Sequence, residues 1–153
     1  CKSYQLRLRI NLRNLRHLEI ELISEETNYS LDLSVRIHEG IENLEELQTL
    51  LSVRAYPSAI DLVKKLERLR KLKVLVIYQL TAEIGNALGA TIEKMNHLEE
   101  SNLRAINEVE ILDLKCISSS PHLLRYLQLS SRLHQLPEWI SKLPNLQGLV
   151  LHF

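Results

Sequence analysis

The sequence predicts an α/β repeat fold: a curved solenoid, or horseshoe, with a parallel β-sheet on its concave face and helices and irregular segments on its convex face. Three observations predict it. Leucine supplies 33 of the 153 residues, these leucines recur at a fixed short spacing, and helical periodicity fills the intervals between them. The chain carries 19 basic and 19 acidic residues, a balance typical of globular domains, so composition excludes disordered and collagen-like proteins.

The strands are predicted by a motif of Leu, two residues, Leu, one residue, Leu. Six copies of this motif begin at Leu15, Leu47, Leu72, Leu98, Leu124 and Leu146. The second and fourth copies are irregular, with Ser52 and Ser101 at apolar places. Because the last two motif positions lie two residues apart, they point to one side of a strand. Leu75 and Ile77 are therefore predicted to face inward, where neighbouring repeats must stack to bury them.

Two helices are predicted on the convex side. The first begins where Ser58 and Asp61 have capping-box spacing. Its buried face is predicted at Ile60, Val63, Leu66 and Leu69. The second helix spans residues 82–96, and its buried face is predicted at Ile84, Leu88, Ile92 and Met95. A polar stretch at residues 24–30 predicts a loop insertion.

The asparagine that often follows this motif and links successive turns is missing. Its place is taken by Ile23, Leu80 and Arg132. Backbone hydrogen bonds or apolar packing must therefore hold the turns together. Trp139, the one tryptophan, is predicted to cover the last full turn, with an interface anchor as the alternative.

Residue chemistry predicts no enzyme in this chain. The six histidines lack the spacing of a zinc pair, and Gly85–Gly89 is not followed by the Gly-Lys-Ser/Thr of a phosphate loop. We therefore predict no catalytic residue, no metal site and no cofactor. Cys1 and Cys116 allow at most one disulfide, which favours a reducing compartment.

Charge and hydropathy limit the partners. No apolar run approaches the roughly 18 residues of a membrane span, and a net charge of +0 removes the whole-domain attraction to nucleic acid. Charge is nevertheless uneven, because residues 64–73 hold six bases while residues 25–46 hold seven acids. These segments are either solvated outer surface or an electrostatic docking surface.

Three stretches carry a resemblance to a known family. They are LRYLQLSSRLHQLPEWISKLPNLQGLVL (124–151), GIENLEELQTL (40–50) and IEKMNHL (92–98) with the upstream GNALGA. Together they resemble the leucine-rich repeats of plant coiled-coil nucleotide-binding leucine-rich-repeat (NLR) disease resistance proteins. The resemblance covers most of residues 12–153.

The resemblance implies that residues 1–153 are one leucine-rich-repeat domain of about six repeats, and the start at Cys1 and the strand pattern at residues 149–153 predict an excerpt of a longer chain, truncated at both ends. It also implies a cytoplasmic immune receptor, with plasma-membrane or nuclear location left open. The repeats would sense a pathogen effector or a modified host protein and would restrain the receptor's own coiled-coil and nucleotide-binding domains. ADP or ATP would bind outside this chain.

The site residues that the resemblance implies are the outward positions of the concave strands. These candidates are His17, Glu19, Glu21, Val74, Val76, Tyr78, Glu100, Asn102, Arg104, Tyr126, Gln128, Ser130, Val150 and His152. The same alternation adds Thr49, Leu51, Val53 and Gly148. The apolar triple Val74, Val76 and Tyr78 is either a binding patch or an ordinary strand preference.

Two other functions fit a leucine-rich repeat. One is the ectodomain of an extracellular receptor, which the sequon at Asn28 favours and the missing cysteine caps and irregular intervals oppose. The other is the substrate-binding repeat domain of a ubiquitin ligase. The parent sequence upstream of Cys1 distinguishes them: an export segment, a ligase domain or a phosphate loop would each favour one function.

Overall fold

A parallel sheet of six strands runs through the computed structural model, which describes residues 12–20, 40–55, 59–112, 114, 117–119 and 121–153. The strands are β1 (His17–Glu19), β2 (Thr49–Arg54), β3 (Val74–Leu80), β4 (Glu100–Ala105), β5 (Tyr126–Ser130) and β6 (Gly148–His152). Their order in the sheet is their order in the sequence. Predictions for Cys1, Glu21, Ile23, residues 24–30, Ser58 and Cys116 lie outside the described residues.

All six strands are aligned at the same motif position, two residues after the first leucine. His17 pairs with Thr49, and the alignment continues through Val74, Glu100, Tyr126 and Gly148. The irregular copies beginning at Leu47 and Leu98 are therefore full members of the repeat. The predicted parallel sheet is confirmed, and its strands begin in the same register.

The inward positions form the core. Leu75 and Ile77 are fully buried, as predicted, and Leu127 and Leu129 on β5 are 2% and 1% exposed. Ser101 occupies the equivalent place on β4, since it pairs with Leu75 and Leu127 and is 4% exposed. Ser101 thus occupies a leucine position of the motif, and β4 keeps its pairing with both neighbouring strands.

Strand β2 departs from simple alternation. Its pairing with β3 shifts after Leu50, so that Val53 lies beside the inward Ile77. The extra residue is accommodated at Ser52, whose φ of 61° lies in the left-handed region. The prediction that Val53 faces outward is therefore wrong, and its side chain is 3% exposed. A similar irregularity in β3 places Gln79 at φ 58°.

Three α-helices and one 3-10 helix lie among the described residues. They are the 3-10 helix (Ile41–Asn43), α1 (Ala59–Leu66), α2 (Ala82–Lys94) and α3 (Glu138–Ser141). The second predicted helix is confirmed, because the four residues of its predicted face are all buried. Their side chains join the inward strand residues in one hydrophobic core. Strands and helices therefore share an α/β repeat fold.

The buried face of α1 differs from the prediction. Val63 and Leu66 are buried as expected, and so is Leu69 after the helix ends, but Ile60 is 52% exposed. Leu62, 1% exposed, takes part in the core instead. Because Leu62 and Leu66 lie four residues apart, they stack on one side of the helix, and Ile60 lies roughly 140° around the helix from that pair. The prediction for Ile60 is wrong.

Backbone hydrogen bonds link successive repeats. At the first junction, the carbonyl oxygen of Arg16 accepts from the N–H groups of Gln48 and Thr49 at 2.8 and 2.9 Å. The same double acceptor recurs at Gln48, Lys73, Glu99 and Arg125. Leu80, at one of the places where the asparagine is missing, is fully buried. Backbone bonds and apolar packing thus replace the asparagine, as predicted.

A turn precedes the strands, and the motif did not reveal it. In the first five repeats the N–H of the first motif leucine donates to the carbonyl three residues earlier, as from Leu47 to Leu44 at 3.0 Å. The residue at that earlier place is buried in five repeats: Leu44, Leu69, Met95, Pro121 and Leu143. The repeat therefore has a further apolar position, three residues before the motif begins.

Candidate protein-binding surface

One face of the sheet is not covered by the helices. We call it the open face and define it by the outward side chains of β1 to β6. No described candidate on this face is buried: all are exposed or half-buried. The described candidates other than Val53 are therefore accessible, whereas Val53 is buried and Glu21 lies outside the described residues.

The middle of the open face contains a shallow depression of about 340 Å³. Eight candidates line it: Val74, Val76, Glu100, Asn102, Tyr126, Gln128, Gly148 and Val150. Four of these side chains are apolar or aromatic, and Tyr126 and Val150 are 48% and 46% exposed. The structure thus brings residues from four strands into one patch that combines an accessible apolar surface with polar neighbours.

A glycine shapes this depression. Gly148 pairs with Tyr126 on the neighbouring strand, and a Cβ atom at position 148 would lie 2.6 Å from the Cδ1 atom of the tyrosine ring. The ring therefore occupies space that any other residue would fill, and its hydroxyl donates to the Oε1 atom of Gln147 at 3.3 Å. A glycine inside a strand, aligned with an aromatic residue, was the available sequence signal.

A second cavity, of about 650 Å³, lies at the carboxyl ends of β4, β5 and β6, and we call it the rim pocket. Its lining combines four candidates with residues that sequence reasoning missed. The candidates are Arg104, Gln128, Ser130 and His152. The additional lining residues are Ala105, Ser131, Phe153 and the loop at residues 106–109.

Hydrogen bonds within the loop and from α2 to Glu110 hold residues 106–110 in place. The side-chain Oδ1 atom of Asn107 accepts from the N–H groups of Val109 and Glu110 at 3.1 and 2.9 Å. The carboxylate of Glu110 accepts from the N–H of Ala82, the first residue of α2, at 2.6 Å. An unpaired N–H at a helix start is thereby satisfied from the following repeat. Asparagine near a strand end was the only local signal for this turn.

The remaining candidates lie outside both cavities. His17 shares a hydrogen bond of 2.9 Å with Thr49 across β1 and β2. Glu19 is exposed, and Tyr78 is half-buried at the irregular end of β3. The apolar triple is therefore divided: Val74 and Val76 line the depression, whereas Tyr78 does not.

The uneven charge along the chain produces ion pairs between successive repeats. Lys71 and Glu46 lie 2.5 Å apart, and Lys65 and Glu42 lie 3.8 Å apart. Lys73 pairs with Glu99 at 3.5 Å. Part of the basic segment at residues 64–73 is thus neutralised by acids of neighbouring repeats, which reduces the charge it offers to another molecule.

Glu93 on α2 forms another contact between repeats. Its Oε1 atom accepts from the hydroxyl of Ser118 at 2.7 Å and from the N–H of Ser119 at 2.6 Å. The hydrogen bond from the Ser118 side chain, followed by that from the Ser119 backbone, lowers the pKa of Glu93 below its ordinary value of 4.5. The charged carboxylate therefore stabilises the folded position of residues 118–119.

Trp139 lies in α3 and is 4% exposed. Its side chain belongs to the core cluster with Ile140 and Leu143. This burial confirms the prediction that the tryptophan covers the last turn. The alternative, an exposed anchor in an interface, is wrong.

Within the described residues, no group of three or more histidine, cysteine, aspartate or glutamate residues could hold a metal ion. No helix in the same part of the chain has both the length and the apolar character needed to cross a membrane.

Comparison with known proteins adds one match. A family model described as a leucine-rich repeat region matches residues 10–153. No curated protein matches the chain significantly. The match covers all six strands, both cavities and the helices between them.

Proposed function

The chain belongs to the leucine-rich repeat region family, and from this premise we propose that it is the protein-recognition and autoregulatory repeat domain of a plant intracellular immune receptor. Leucine-rich repeat regions commonly bind proteins. In this proposal the open face is the concave side of a horseshoe, and it contacts a pathogen effector, a modified host protein or another domain of the receptor itself.

The depression on the open face carries the proposal. Val74, Val76, Tyr126 and Val150 provide apolar contact area, and Glu100, Asn102 and Gln128 surround it with polar groups. An accessible apolar patch with a polar rim is typical of protein-binding sites. An exposed tyrosine strengthens the argument, since tyrosine is enriched among the residues that contribute most binding energy.

The receptor context rests on the resemblance of residues 40–50, 92–98 and 124–151 to the repeats of NLR disease resistance proteins. In that context the chain is not an enzyme and binds no cofactor. ADP or ATP binds to a nucleotide-binding domain elsewhere in the parent protein, and the repeats restrain that domain until a partner engages them. The receptor acts in the cytoplasm.

The test uses the full-length receptor in leaf cells, with cell death as the response. Val76→Glu and Tyr126→Ala alter the centre of the depression at side chains that are not buried, so we expect normal protein accumulation. We also expect each variant to change effector-dependent death or to cause death without an effector.

Lys64→Glu on α1 is the control, because Lys64 is exposed on the helical side of the chain. We expect it to behave as wild type. If both open-face variants accumulate normally and respond as wild type with and without effector, the open face is not the recognition surface. If the parent protein contains no nucleotide-binding domain, the immune-receptor assignment is wrong.

A further inference from the structure

The rim pocket has a chemistry that differs from that of the depression. It lies where β4, β5 and β6 end, and its volume of about 650 Å³ falls within the roughly 300–1,000 Å³ of ligand pockets. Among the residues that the structure describes, Gln128 alone lines both cavities. The rim pocket is therefore a candidate binding site separate from the depression, and its own lining determines which ligand it fits.

One wall of the pocket is a row of hydrogen-bond donors. Arg104 pairs with Ser130, and Ser130 pairs with His152, so the three residues stand at one register level on adjacent strands. At about 4.8 Å between strands, the row spans roughly 10 Å. In the described part of the chain no acidic side chain forms an ion pair with Arg104 or His152. This wall is suited to an anion.

A buried hydroxyl lies behind this wall. Ser131 belongs to the pocket lining, is 4% exposed, and its Oγ atom has no hydrogen-bond partner among the described residues. Because this atom has almost no accessible surface, the contacts with an anion are assigned to Arg104, Ser130 and His152.

Another part of the pocket lining is apolar. Ile106 and Val109 on the loop are 37% and 69% exposed, and Phe153 is 78% exposed. Because Asn107 and Glu110 hold this loop in place, the wall is fixed before a ligand arrives. Glu108 also lines the pocket, and its negative charge opposes anion binding, so a ligand with two anionic groups is disfavoured more than one with a single carboxylate.

We propose that the rim pocket binds the C-terminal residue of a polypeptide that ends in an apolar side chain. The free carboxylate contacts Arg104, Ser130 and His152, and the side chain packs against Ile106 and Val109. A C-terminal residue carries a carboxylate and a side chain on the same carbon atom, which matches two walls of one small pocket. The inference rests on the proposed protein recognition and names the chemical class of the polypeptide end.

The test is a calorimetric titration of the 153-residue chain with three probes. N-acetyl-alanyl-leucine carries the free carboxylate, its C-terminal amide lacks it, and N-acetyl-aspartyl-leucine amide carries an internal carboxylate instead. We expect the free acid to bind and both amides to bind at least about tenfold more weakly. The first amide has no carboxylate for a charge-assisted hydrogen bond, and the aspartyl amide carries its carboxylate at a different position.

Two variants locate the binding. Arg104→Gln should weaken binding of the free acid by about tenfold or more. Arg132→Gln is the control and should leave this binding unchanged, because Arg132 is exposed but does not line the pocket. Val109→Ser should weaken binding of N-acetyl-alanyl-leucine but leave binding of N-acetyl-alanyl-glycine unchanged, because only the leucine side chain reaches Val109. Val109 is too exposed for this change to disturb folding.

The proposal is overturned if the free acid does not bind, if it binds no better than the amides, or if Arg104→Gln has no larger effect than Arg132→Gln. These failures are separable from failure of the proposed function. Val76→Glu changes the receptor response but leaves titration with the free acid unchanged if both proposals hold. A changed receptor response without acid binding refutes the pocket alone, and acid binding without any effect of open-face variants refutes the recognition surface alone.

Discussion

Leu75 and Val76 are neighbours on β3, yet one is fully buried and the other is half-exposed on the open face. The alternation of side chains along a strand is sufficient to predict this difference. It does not predict Val53, because the bulge at Ser52 shifts the alternation by one residue. Serine at a left-handed φ carries no sequence signal of the kind that glycine would give.

The alternation predicts unequal effects of truncation. Leu75→Ala and Leu127→Ala each remove a buried side chain from the core and should lower the free energy of unfolding by about 2–5 kcal/mol. Val76→Ala is the matched control and should cost less than about 1 kcal/mol, because its side chain is only half-buried. Urea denaturation measures all three, and unchanged midpoints for both leucine variants would contradict the inward assignment.

At the scale of elements, periodicity predicts α2 well and α1 in part. The predicted face of α2 is buried throughout, whereas in α1 Leu62 replaces Ile60. An eight-residue helix has few positions from which to define a face, so neighbouring elements decide its rotation. The loop at residues 106–110 was not predicted, because its position depends on a contact between Glu110 and Ala82, 28 residues apart.

The contact between Glu93 and residues 118–119 predicts a dependence of stability on pH. The folded chain has a lowered Glu93 pKa, so the unfolded chain takes up this proton at a higher pH. The stabilisation is therefore complete above about pH 4.5 and is lost as the pH falls. Glu93→Gln should lower the free energy of unfolding at neutral pH, and the difference from wild type should shrink in acid.

Urea denaturation at a series of pH values measures this difference. Ser118→Ala removes the side-chain hydrogen bond while keeping the carboxylate, and it should reduce stability over the same pH range. A difference between Glu93→Gln and wild type that stays constant from neutral to acid pH would show that the charge of Glu93 contributes nothing.

At the scale of the whole molecule, the repeats are held together by the core and the backbone more than by charge. A single apolar cluster runs from Ile41 to Leu143 in the described part of the chain, and the inter-repeat ion pairs in that part are partly exposed. Exposed ion pairs contribute little, since water and salt screen them. Composition could not predict this pairing, because it depends on which segments become neighbours.

The weakness of these pairs is measurable at Glu46 and Lys71. A double-mutant cycle with Glu46→Ala and Lys71→Ala should give a coupling of about 0.2–1 kcal/mol. The coupling should decrease as salt is added. Thermal or urea unfolding of the four proteins provides the measurement. A coupling well above this range that persists in high salt would show that charge pairing determines how the repeats stack.

The double acceptor at each repeat junction affects how a repeat protein of this kind can evolve. Each link joins main-chain atoms and is the same at Arg16, Gln48, Lys73, Glu99 and Arg125, so no particular side chain has to be inherited with it. A gene that duplicates or loses one whole unit therefore encodes a chain whose new neighbours still join correctly. Variation in the number of units and in the outward residues can accumulate independently, and such a lineage can diversify its binding surface without rebuilding its scaffold.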